Sequence, residues 1–599
     1  MRFALLLLGW HHASACTTII VGKKASADGS VMCTHSNDGE GTQDPRLVRI
    51  PARDHAPGTM RPVFFAPENY PRYVGAARGA IPAYVPVGNQ TAFKPIGQIP
   101  EVSHTYSYFE ETYGALNEHQ LGIGESTCSG VFGTKPAGMG GKAMMSVDTL
   151  TQLAMERTMR SRDAVQLMGS LAEKYGFYGA GSFEGTAESL LVTDPNEGWI
   201  FHILPDDTGT SAIWAAERVP DDHIGVVANA FMIRKVNFTD SANFLGSASV
   251  YSVALKKGWW KPSDGLLDFT ATYSDGKTER ERSERAHQWL PCELCASTFL
   301  PRCAHLVRCL ALSRACAGEY AHKFYSGRRV WGVYNILSPK LNMSADYEEW
   351  RKSKPYPATA PPSAKVSVAD LARAMRSYYE GTKFDQTVGL AAGVWGTPDH
   401  VAGGSAGGAV KGNWERTIGL YRTSDSYIVQ SRSWLPDATG GVLWWGPHAA
   451  PYTVYVPFAA GMATLPDCTL GHPAALNKPT LFWAVRYLAN IAQLKRNHMI
   501  VEIQELQQKQ HAKALATLAQ AESSDGSALA LDAAFSRHAA DMVTELWSLQ
   551  DALMFKYADG YINTVSPSGQ LSVKTEAYPD WWLKAVGYEN GPPPVPHAA

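Results

Sequence analysis

One short stretch near the start of the chain decides its interpretation, Ala13-Ser14-Ala15-Cys16-Thr17-Thr18-Ile19-Ile20-Val21. An apolar run from Phe3 to Trp10 lies before it, behind a single charge at Arg2. Signal peptidase cleaves after small residues arranged as they are at Ala13 and Ala15. We therefore predict that residues 1–15 are a signal peptide and that Cys16 begins the mature chain.

A cysteine at an amino terminus carries a nucleophile and a base on the same residue. Its free α-amine has a pKa near neutrality and can accept a proton. A base so close readily activates a thiol. Cys16 therefore indicates an N-terminal-nucleophile hydrolase that is activated when its leader is removed. Two simpler interpretations remain. Cys16 could merely follow a signal peptide, or it could be the lipid-modified cysteine of a bacterial lipoprotein. A lipoprotein usually has Leu where this chain has Ala13.

The residues after Cys16 predict a β-hairpin. Thr17 to Gly22 is β-branched and apolar, as expected for a buried strand, and Ser30 to Thr34 is expected to form the returning strand. Asp28-Gly29 between them is a strong turn pair. Antiparallel pairing around this turn would bring His35 to Asp38 back beside Cys16. An ordinary surface hairpin that ends in a polar turn is the alternative.

The segment from Cys16 to Ser30 resembles the opening of the dipeptidase A family of N-terminal cysteine hydrolases. Secernins are relatives of that family, and bile-salt hydrolases and penicillin V acylases are more distant relatives. The resemblance covers most of residues 16–560 and returns in five further motifs, Tyr113-Gly114-Ala115-Leu116-Asn117-Glu118, Gly124-Glu125-Ser126-Thr127, Val227-Ala228-Asn229, Ser326-Gly327-Arg328-Arg329-Val330-Trp331 and Trp434-Leu435-Pro436.

The order of predicted elements indicates an α+β protein. The resemblance implies the four-layer αββα sandwich of N-terminal-nucleophile (Ntn) hydrolases for a catalytic domain over residues 16–470. After this point apolar residues recur at helical spacing and predict two long helices. We therefore predict a C-terminal helical extension over residues 471–599 with a disordered Pro-rich tail. The helices are expected to pack on the catalytic core or on a second subunit.

The resemblance also implies hydrolysis of an amide bond, most specifically in a dipeptide. The sulfur of Cys16 would attack the carbonyl while its own amine carries the proton, and Asp38 would hold and charge that amine. Asn229, which follows an apolar strand, and Thr127 would bind the oxyanion. Arg329 would polarise the site, favour the thiolate and bind a substrate carboxylate.

One residue departs from the pattern of these relatives: His35 stands where most of them have arginine, which changes the charge of the site. Each of three other residues also has a structural explanation, Thr127 as a polar strand end, Asn229 as a turn residue and Arg329 as a surface charge. Two rival functions remain open. An acylase for N-acyl amides would use the same residues, and a catalytically inactive secreted or secretion-related protein would keep only the fold.

Composition excludes several classes of partner. Hydrophobic residues make up 45% of the chain and charged residues 18%, with a formal net charge of −2, so no basic surplus favours nucleic acid. The sequence has no apolar run of about 18 residues after the leader, and we expect no membrane span there. The expected chemistry needs no metal and no organic cofactor. The predicted partner is a dipeptide or small amide substrate, and a homo-oligomer is left open.

The leader predicts entry into the secretory pathway, with an extracellular or lysosome/vacuole-like lumenal destination. Three glycosylation sequons agree with this route, although short sequons also occur by chance: Asn89-Gln90-Thr91, Asn237-Phe238-Thr239 and Asn342-Met343-Ser344.

Residues 277–318 do not continue the pattern on either side of them. Five of the nine cysteines fall here, Cys292, Cys295, Cys303, Cys309 and Cys316. Cys292 and Cys295 have the spacing of half a zinc site, but no second pair matches them. The codons of Gly276-Lys277 can contain a splice donor, and Ala317-Gly318 can follow a codon that ends in an acceptor. An intron translated by mistake is our hypothesis, and a genuine surface insertion is the alternative.

We expect the messenger RNA to lack the codons for residues 277–318. Sequencing full-length transcripts across the codons of Gly276 and Glu319 measures this directly. A spliced transcript that keeps the segment, together with protein in which it is well ordered, would contradict the hypothesis.

Overall fold

The computed structural model describes residues 16–39, 41, 43–65, 95–179, 186–274, 323–345, 355–400, 414–524 and 526–592. The predicted signal peptide and residues 277–318 lie outside this part of the chain, as does the end of the tail. Among the described residues, no helix combines the length and the apolar character that crossing a membrane requires.

The strands, in chain order, are β1 Thr18–Val21, β2 Val31–Asn37, β3 Val48–Ile50, β4 Arg53–Asp54, β5 Met60–Phe64, β6 Pro95–Pro100, β7 His104–Thr105, β8 Tyr108–Glu110, β9 Gly114–Asn117, β10 Gly122–Cys128, β11 Ala187–Thr193, β12 Gly198–Pro205, β13 Ala212–Val219, β14 Ile224–Val227, β15 Phe244–Gly246, β16 Thr359–Ala360, β17 Asp425–Ser431, β18 Gly441–Pro447, β19 Val456–Ala459, β20 Tyr561–Val565 and β21 Leu571–Thr575. The α-helices are α1 Val147–Arg157, α2 Ser161–Tyr175, α3 Ser249–Lys256, α4 Phe269–Tyr273, α5 Arg328–Leu337, α6 Val368–Met375, α7 Asp437–Gly440, α8 Leu481–Ala492, α9 Arg496–Glu522, α10 Ala528–Lys556 and α11 Asp580–Ala585.

Two large antiparallel sheets contain most of these strands, which confirms the α+β class. Sheet A has seven strands in the order β16-β14-β1-β2-β17-β18-β19, and sheet B has eight in the order β15-β13-β12-β11-β10-β9-β8-β3. Strands β4 and β7, β5 and β6, and β20 and β21 form three separate pairs. Strand β1 therefore lies inside sheet A, and Cys16 comes two residues before it.

The predicted hairpin is present as β1 and β2. Ile20 pairs with Cys33 and Val21 with Met32, in antiparallel register. The turn contains Gly29 at φ +89°, a left-handed conformation that glycine adopts without strain. The same register continues toward the chain start, where the Thr17 N–H donates to Ser36 Oγ at 3.0 Å. The hairpin therefore returns the polar end of β2 to the side of Cys16, as the sequence predicts.

The two sheets pack face to face beside this hairpin. Strand β10 of sheet B contacts β2 and β17 of sheet A. At Gly124 the approach is so close that an added Cβ would lie 2.2 Å from the Thr34 carbonyl oxygen. A side chain at position 124 would have to displace main chain, so only glycine fits there without a shift. Main-chain contact thus sets the distance between the sheets next to the predicted site.

Helices pack against both sheets. Helices α1 and α2 pack on sheet B, and their apolar faces share one core with residues such as Leu190, Val192 and Phe201. Helices α8, α9 and α10 share the other large core with residues of sheet A such as Trp444, whose ring lies 5.4 Å from that of His511 in α9. Apolar stripes at helical spacing explain both contacts, because each helix must bury one face.

The C-terminal extension differs from its prediction in two ways. The first of the two predicted long helices is interrupted before α9, where Lys495 has the non-helical angles φ −151° and ψ 60°. The buried Lys495 Nζ donates to the Gly560 carbonyl at 2.9 Å, so a tertiary contact holds the break. The extension is also not wholly helical, since β20 and β21 form a hairpin between α10 and α11.

Candidate active site

Cys16 is buried at the start of sheet A, with only 1% of its surface exposed. Its carbonyl oxygen accepts two hydrogen bonds, from Arg329 Nη1 at 2.6 Å and from Ser126 Oγ at 3.3 Å. Its sulfur receives a hydrogen bond from the backbone N–H of Asp38 and contacts the carboxyl of Glu125. Both the backbone and the sulfur of this residue are therefore held by specific polar groups.

Arg329 lies in the first turn of α5 and is fully buried. Besides Cys16, its guanidinium donates to Thr17 Oγ1 at 3.1 Å, to the Ala228 carbonyl at 3.3 Å and to Asn229 Oδ1 at 2.7 Å. Its Nε donates to the Tyr325 carbonyl at 3.2 Å. All five N–H groups of the guanidinium are thus used within the protein.

The structure therefore corrects one interpretation of Arg329. It is not a surface charge, because its side chain is buried. Its donors already hold the backbone of Cys16 and the side chain of Asn229, so binding a substrate carboxylate as predicted would require some of these hydrogen bonds to break. Burial lowers the pKa of Arg329 to about 10, and the nearby charge of Arg416 acts in the same direction.

Asn229 follows β14 in a left-handed conformation, with φ +57°. Its backbone N–H donates to Ser126 Oγ at 2.9 Å, and its Nδ2 donates to the Thr127 carbonyl at 2.6 Å. The amide nitrogen carries a second N–H. Positive φ is uncommon for residues other than glycine, and such positions concentrate at functional sites. Asn229 is therefore held rigidly, and Arg329 links its side chain to Cys16.

Thr127 is at the end of β10, where its hydroxyl donates to Glu125 Oε1 at 2.9 Å. A hydroxyl has one proton to donate. Its proton is thus already directed to Glu125, and binding an oxyanion as predicted would require this hydroxyl to turn.

Asp38 comes directly after β2 and is fully buried. Its carboxylate accepts from Ser36 Oγ at 3.1 Å, from Thr423 Oγ1 at 2.5 Å and from Arg416 Nη2 at 2.5 Å. Charge-assisted hydrogen bonds of this kind are short and strong. Arg416 and Thr423 were not anticipated, because they lie far away along the chain and carry no local motif.

His35 projects from β2 into the space between the sheets. Its ring packs against the rings of Tyr113 and Tyr427, with centroids at 5.5 and 5.1 Å. Its Nδ1 lies 2.8 Å from the Glu125 carbonyl oxygen, and its Nε2 lies 3.5 Å from Glu111 Oε1. His35 thus lies among buried carboxyl groups.

Burial and charge act together on the Cys16 thiol. Burial raises the pKa of this thiol well above its ordinary value, and the negative charges of Glu125 and Asp38 raise it further. The hydrogen bond from the Asp38 N–H opposes this shift. Burial also raises the pKa of the Glu125 carboxyl, which shares a hydrogen bond with Glu188. In the uncleaved chain the sulfur is therefore held as a thiol.

All six predicted site residues lie in one connected group. Hydrogen bonds lead from Cys16 through Arg329, Asn229, Thr127 and Glu125 to His35. A separate hydrogen bond joins Asp38 to Cys16. Sequence reasoning missed the roles of Glu125 and Ser126 in this group, although both belong to a motif that it had singled out. The roles predicted for the six residues stay predictions.

Among the described residues, one group combines side chains of the types that hold metal ions, and it consists of Cys16, His35 and Glu125. A sulfur, an imidazole and a carboxylate together suit a borderline ion such as Zn²⁺. The site thus has two chemical capacities, nucleophilic attack by sulfur and coordination of a metal ion.

Comparison with known protein families places this chain among the peptide-bond hydrolases. It belongs to peptidase family C69, whose pattern matches residues 15–296 and 316–509. The match begins one residue before Cys16. It is interrupted at 297–315, inside the anomalous segment, and it continues past residue 470 into α8 and α9.

Individual relatives are similar at low identity over most of the chain. The chain is 24% identical over 467 residues to a "Probable dipeptidase" of Salmonella dublin, covering 77% of this chain and 84% of that protein. It is 23% identical over 512 residues to a "Probable dipeptidase A" of Streptococcus pyogenes serotype M3 (strain SSI-1), covering 84% and 88%. It is 22% identical over 488 residues to a "Dipeptidase" of Bifidobacterium longum (strain NCC 2705), covering 79% and 76%.

The thiol of Cys16 should titrate above the ordinary thiol range in the uncleaved chain, because burial and two carboxyl groups favour its neutral form. The measurement is the ultraviolet absorbance of thiolate against pH, taken as the difference between the wild type and Cys16→Ser. Glu125→Gln should shift this transition to lower pH, since it removes a negative charge beside the sulfur. Titration at or below the ordinary thiol pKa would contradict the assigned environment.

Cys33→Ala supplies the control for this titration. Cys33 is also buried, and burial raises the pKa of its thiol to about 12, but among the described residues its sulfur contacts Thr193 and no carboxyl group. The difference in thiolate absorbance that the Cys16→Ser substitution causes should be the same in the wild type and in the Cys33→Ala background.

Proposed function

We propose that this chain is a dipeptidase whose nucleophile is the sulfur of Cys16, released as the first residue when 1–15 are removed. The observation that carries the proposal is the position of Cys16: it follows a signal-peptidase pattern directly and lies inside a network that fixes its carbonyl and its sulfur. The names of the relatives support a dipeptide as the substrate. On this proposal the two packed sheets and their helices form the αββα sandwich of Ntn hydrolases, and the protein acts in a lumenal or extracellular compartment.

Removal of the leader changes the charge beside the sulfur. A peptide nitrogen has no basic lone pair, whereas the free amine of Cys16 can hold or release a proton near neutral pH. In its ammonium form it lies close to the sulfur and favours the thiolate, against the effect of burial and of Glu125. Cleavage would therefore supply both the general base and the charge that the buried thiol lacks.

The hydroxyl groups and cations around Asp38 fix the orientation of its carboxylate. Arg416 and Thr423 each bind one of its oxygens, while its own N–H points at the sulfur. On the proposed mechanism Asp38 orients the amine of Cys16 and stabilises its charged form. Arg416 then acts as a positioning residue, because it touches Asp38 and not the substrate.

The reaction proceeds by transfer of the acyl group to sulfur. The amine of Cys16 takes the thiol proton as the sulfur attacks the scissile carbonyl, and the carbonyl oxygen becomes an oxyanion that Asn229 Nδ2 can bind with its second N–H. Collapse of the tetrahedral intermediate breaks the C–N bond, and the Cys16 ammonium gives its proton to the leaving amine. Water then attacks the thioester with the same amine as base, which releases the second product and restores the thiol.

We expect the uncleaved chain to be inactive and activity to appear when Cys16 is the first residue. The measurement compares an uncleaved preparation with one whose Cys16 terminus is confirmed by N-terminal sequencing, on a panel of dipeptides and N-acyl amides. Cys16→Ser should lose most activity, because a hydroxyl is far less acidic than a thiol. Cys33→Ala is the matched control and should change the kinetics little, since Cys33 is buried away from the reacting groups.

The outcomes of this comparison separate the alternatives. Equal activity in the cleaved and uncleaved preparations, or activity that survives Cys16→Ala, would exclude Cys16 as an N-terminal nucleophile. Hydrolysis of N-acyl amides without hydrolysis of dipeptides would identify an acylase instead.

Asp38→Asn should reduce kcat by roughly 10²–10⁴-fold, the usual contribution of acid–base assistance, with a smaller change in KM. The substitution keeps the shape of the side chain but removes the charge that orients the amine. Steady-state kinetics on the mature protein measure the effect, and a thermal melt shows whether the loss of the Arg416 pair has unfolded the chain. Asp221→Asn is the control, because Asp221 pairs with Arg218 at 2.7 Å at the far end of β14. An unchanged kcat in a folded Asp38→Asn protein would remove Asp38 from the mechanism.

A further inference from the structure

The side chains of Cys16, His35 and Glu125 form a buried group whose polar atoms are close enough together to bind one metal ion. A ring nitrogen of His35, the sulfur of Cys16 and a carboxylate oxygen of Glu125 all lie within 4.8 Å of one another. Zinc–ligand bonds are about 2.0–2.3 Å long, so one ion between three such atoms needs only small side-chain movements.

The surroundings orient two of these side chains. His35 Nδ1 lies 2.8 Å from the Glu125 carbonyl oxygen, which can only accept a hydrogen bond, and 3.9 Å from Glu125 Oε2, while Nε2 lies 3.5 Å from Glu111 Oε1. A histidine that ligates a metal commonly donates its other N–H to a backbone carbonyl in this way. Among the described residues, His35 Nε2 and Glu125 Oε2 are buried and make no hydrogen bond. Buried polar atoms are usually paired, and these two atoms make only the 3.5 Å and 3.9 Å ion-pair contacts given above, so each has capacity to bind a ligand.

A free amino terminus at Cys16 would add a fourth ligand. The α-nitrogen and the sulfur of one cysteine can bind the same ion and close a five-membered chelate ring. Together with His35 and Glu125 they make one sulfur, two nitrogen and one oxygen ligand, a set that suits tetrahedral Zn²⁺. An amide nitrogen does not bind zinc in this way, so the complete set exists only in the mature chain.

We propose that the mature protein binds one Zn²⁺ ion through the sulfur and α-amine of Cys16, a ring nitrogen of His35 and the carboxylate of Glu125, and that this ion inhibits the enzyme. The inhibition and the amine ligand rest on the proposed function, whereas the three side-chain ligands do not. Binding displaces the thiol proton to solvent. The bound ion occupies both the nucleophile and the base, so hydrolysis stops until the ion is removed.

The site depends on the imidazole of His35. A guanidinium at this position would keep its charge and have no lone pair available for a metal ion. Exchanging His35 for Arg therefore removes a ligand and places a positive charge where the cation would bind.

The experiment uses the mature protein with a confirmed Cys16 terminus. Zn²⁺ binding is measured by competition with a chromophoric chelator, and Co²⁺ replaces Zn²⁺ to reveal a thiolate charge-transfer band in the absorption spectrum. We expect one ion per chain, and a band that is lost in Cys16→Ser. His35→Arg and Glu125→Gln should each weaken Zn²⁺ binding by more than about 100-fold, the upper range for loss of an outer partner of a metal ligand.

Two controls complete the design. Cys33→Ala should keep full binding, because Cys33 lies outside the group. The uncleaved chain should bind Zn²⁺ more weakly than the mature chain because it lacks the amine ligand. Equal affinity in the two, absence of stoichiometric binding, or full binding in His35→Arg would overturn the proposal.

The failure of this proposal is distinct from the failure of the proposed function. Mature protein that hydrolyses dipeptides but binds no Zn²⁺ would overturn the zinc site alone. Stoichiometric Zn²⁺ binding through Cys16 and His35 without any hydrolase activity would support the site and overturn the function, and with it the inhibition. Activity that is abolished by one equivalent of Zn²⁺ and restored by a chelator would support both.

Discussion

The hydrogen bonds of Arg329 hold the candidate site together. Its guanidinium joins the Cys16 carbonyl to the Asn229 side chain, and these residues flank two neighbouring strands of sheet A, β1 and β14. A fully buried guanidinium loses its hydration, which is costly unless every N–H finds an acceptor. Here all five do, so α5 is fixed against the sheet in one position. The start of a chain is normally poorly ordered, and on the proposed function Arg329 supplies the constraint that a nucleophile at the mature terminus requires.

Charge is distributed unevenly around the sulfur. Arg329 and Arg416 lie near Asp38, while Glu111, Glu125 and Glu188 lie in or beside sheet B. Glu125 and Asp38 favour the neutral thiol, and the cations favour any negative charge that develops near Asn229. On the proposed function, this arrangement fits a site that is unreactive before the leader is removed and becomes reactive when one further positive charge appears.

Local sequence could predict the hairpin and little of the environment around it. The β-branched and apolar run after Cys16 and the Asp28-Gly29 turn are local signals, and they fix both the pairing of β1 with β2 and the return of Asp38 to Cys16. The Arg416 contact with Asp38 joins positions 378 residues apart, and no spacing rule connects them. The break before α9 was missed for the same reason, since Lys495 leaves the helical conformation through a contact with Gly560 and without any proline or glycine at the break.

The main-chain contact at Gly124 determines which amino-acid substitutions the core can accept without altering the site. Where side chains separate two sheets, each core substitution alters their spacing by the volume it adds or removes. Beside His35 and Glu125 the spacer is instead the backbone of β2 against the backbone of β10. Substitutions elsewhere in the core can therefore accumulate while the distance between these two side chains stays nearly constant. Position 124 is the exception, because any larger residue there would move the two faces of the site apart.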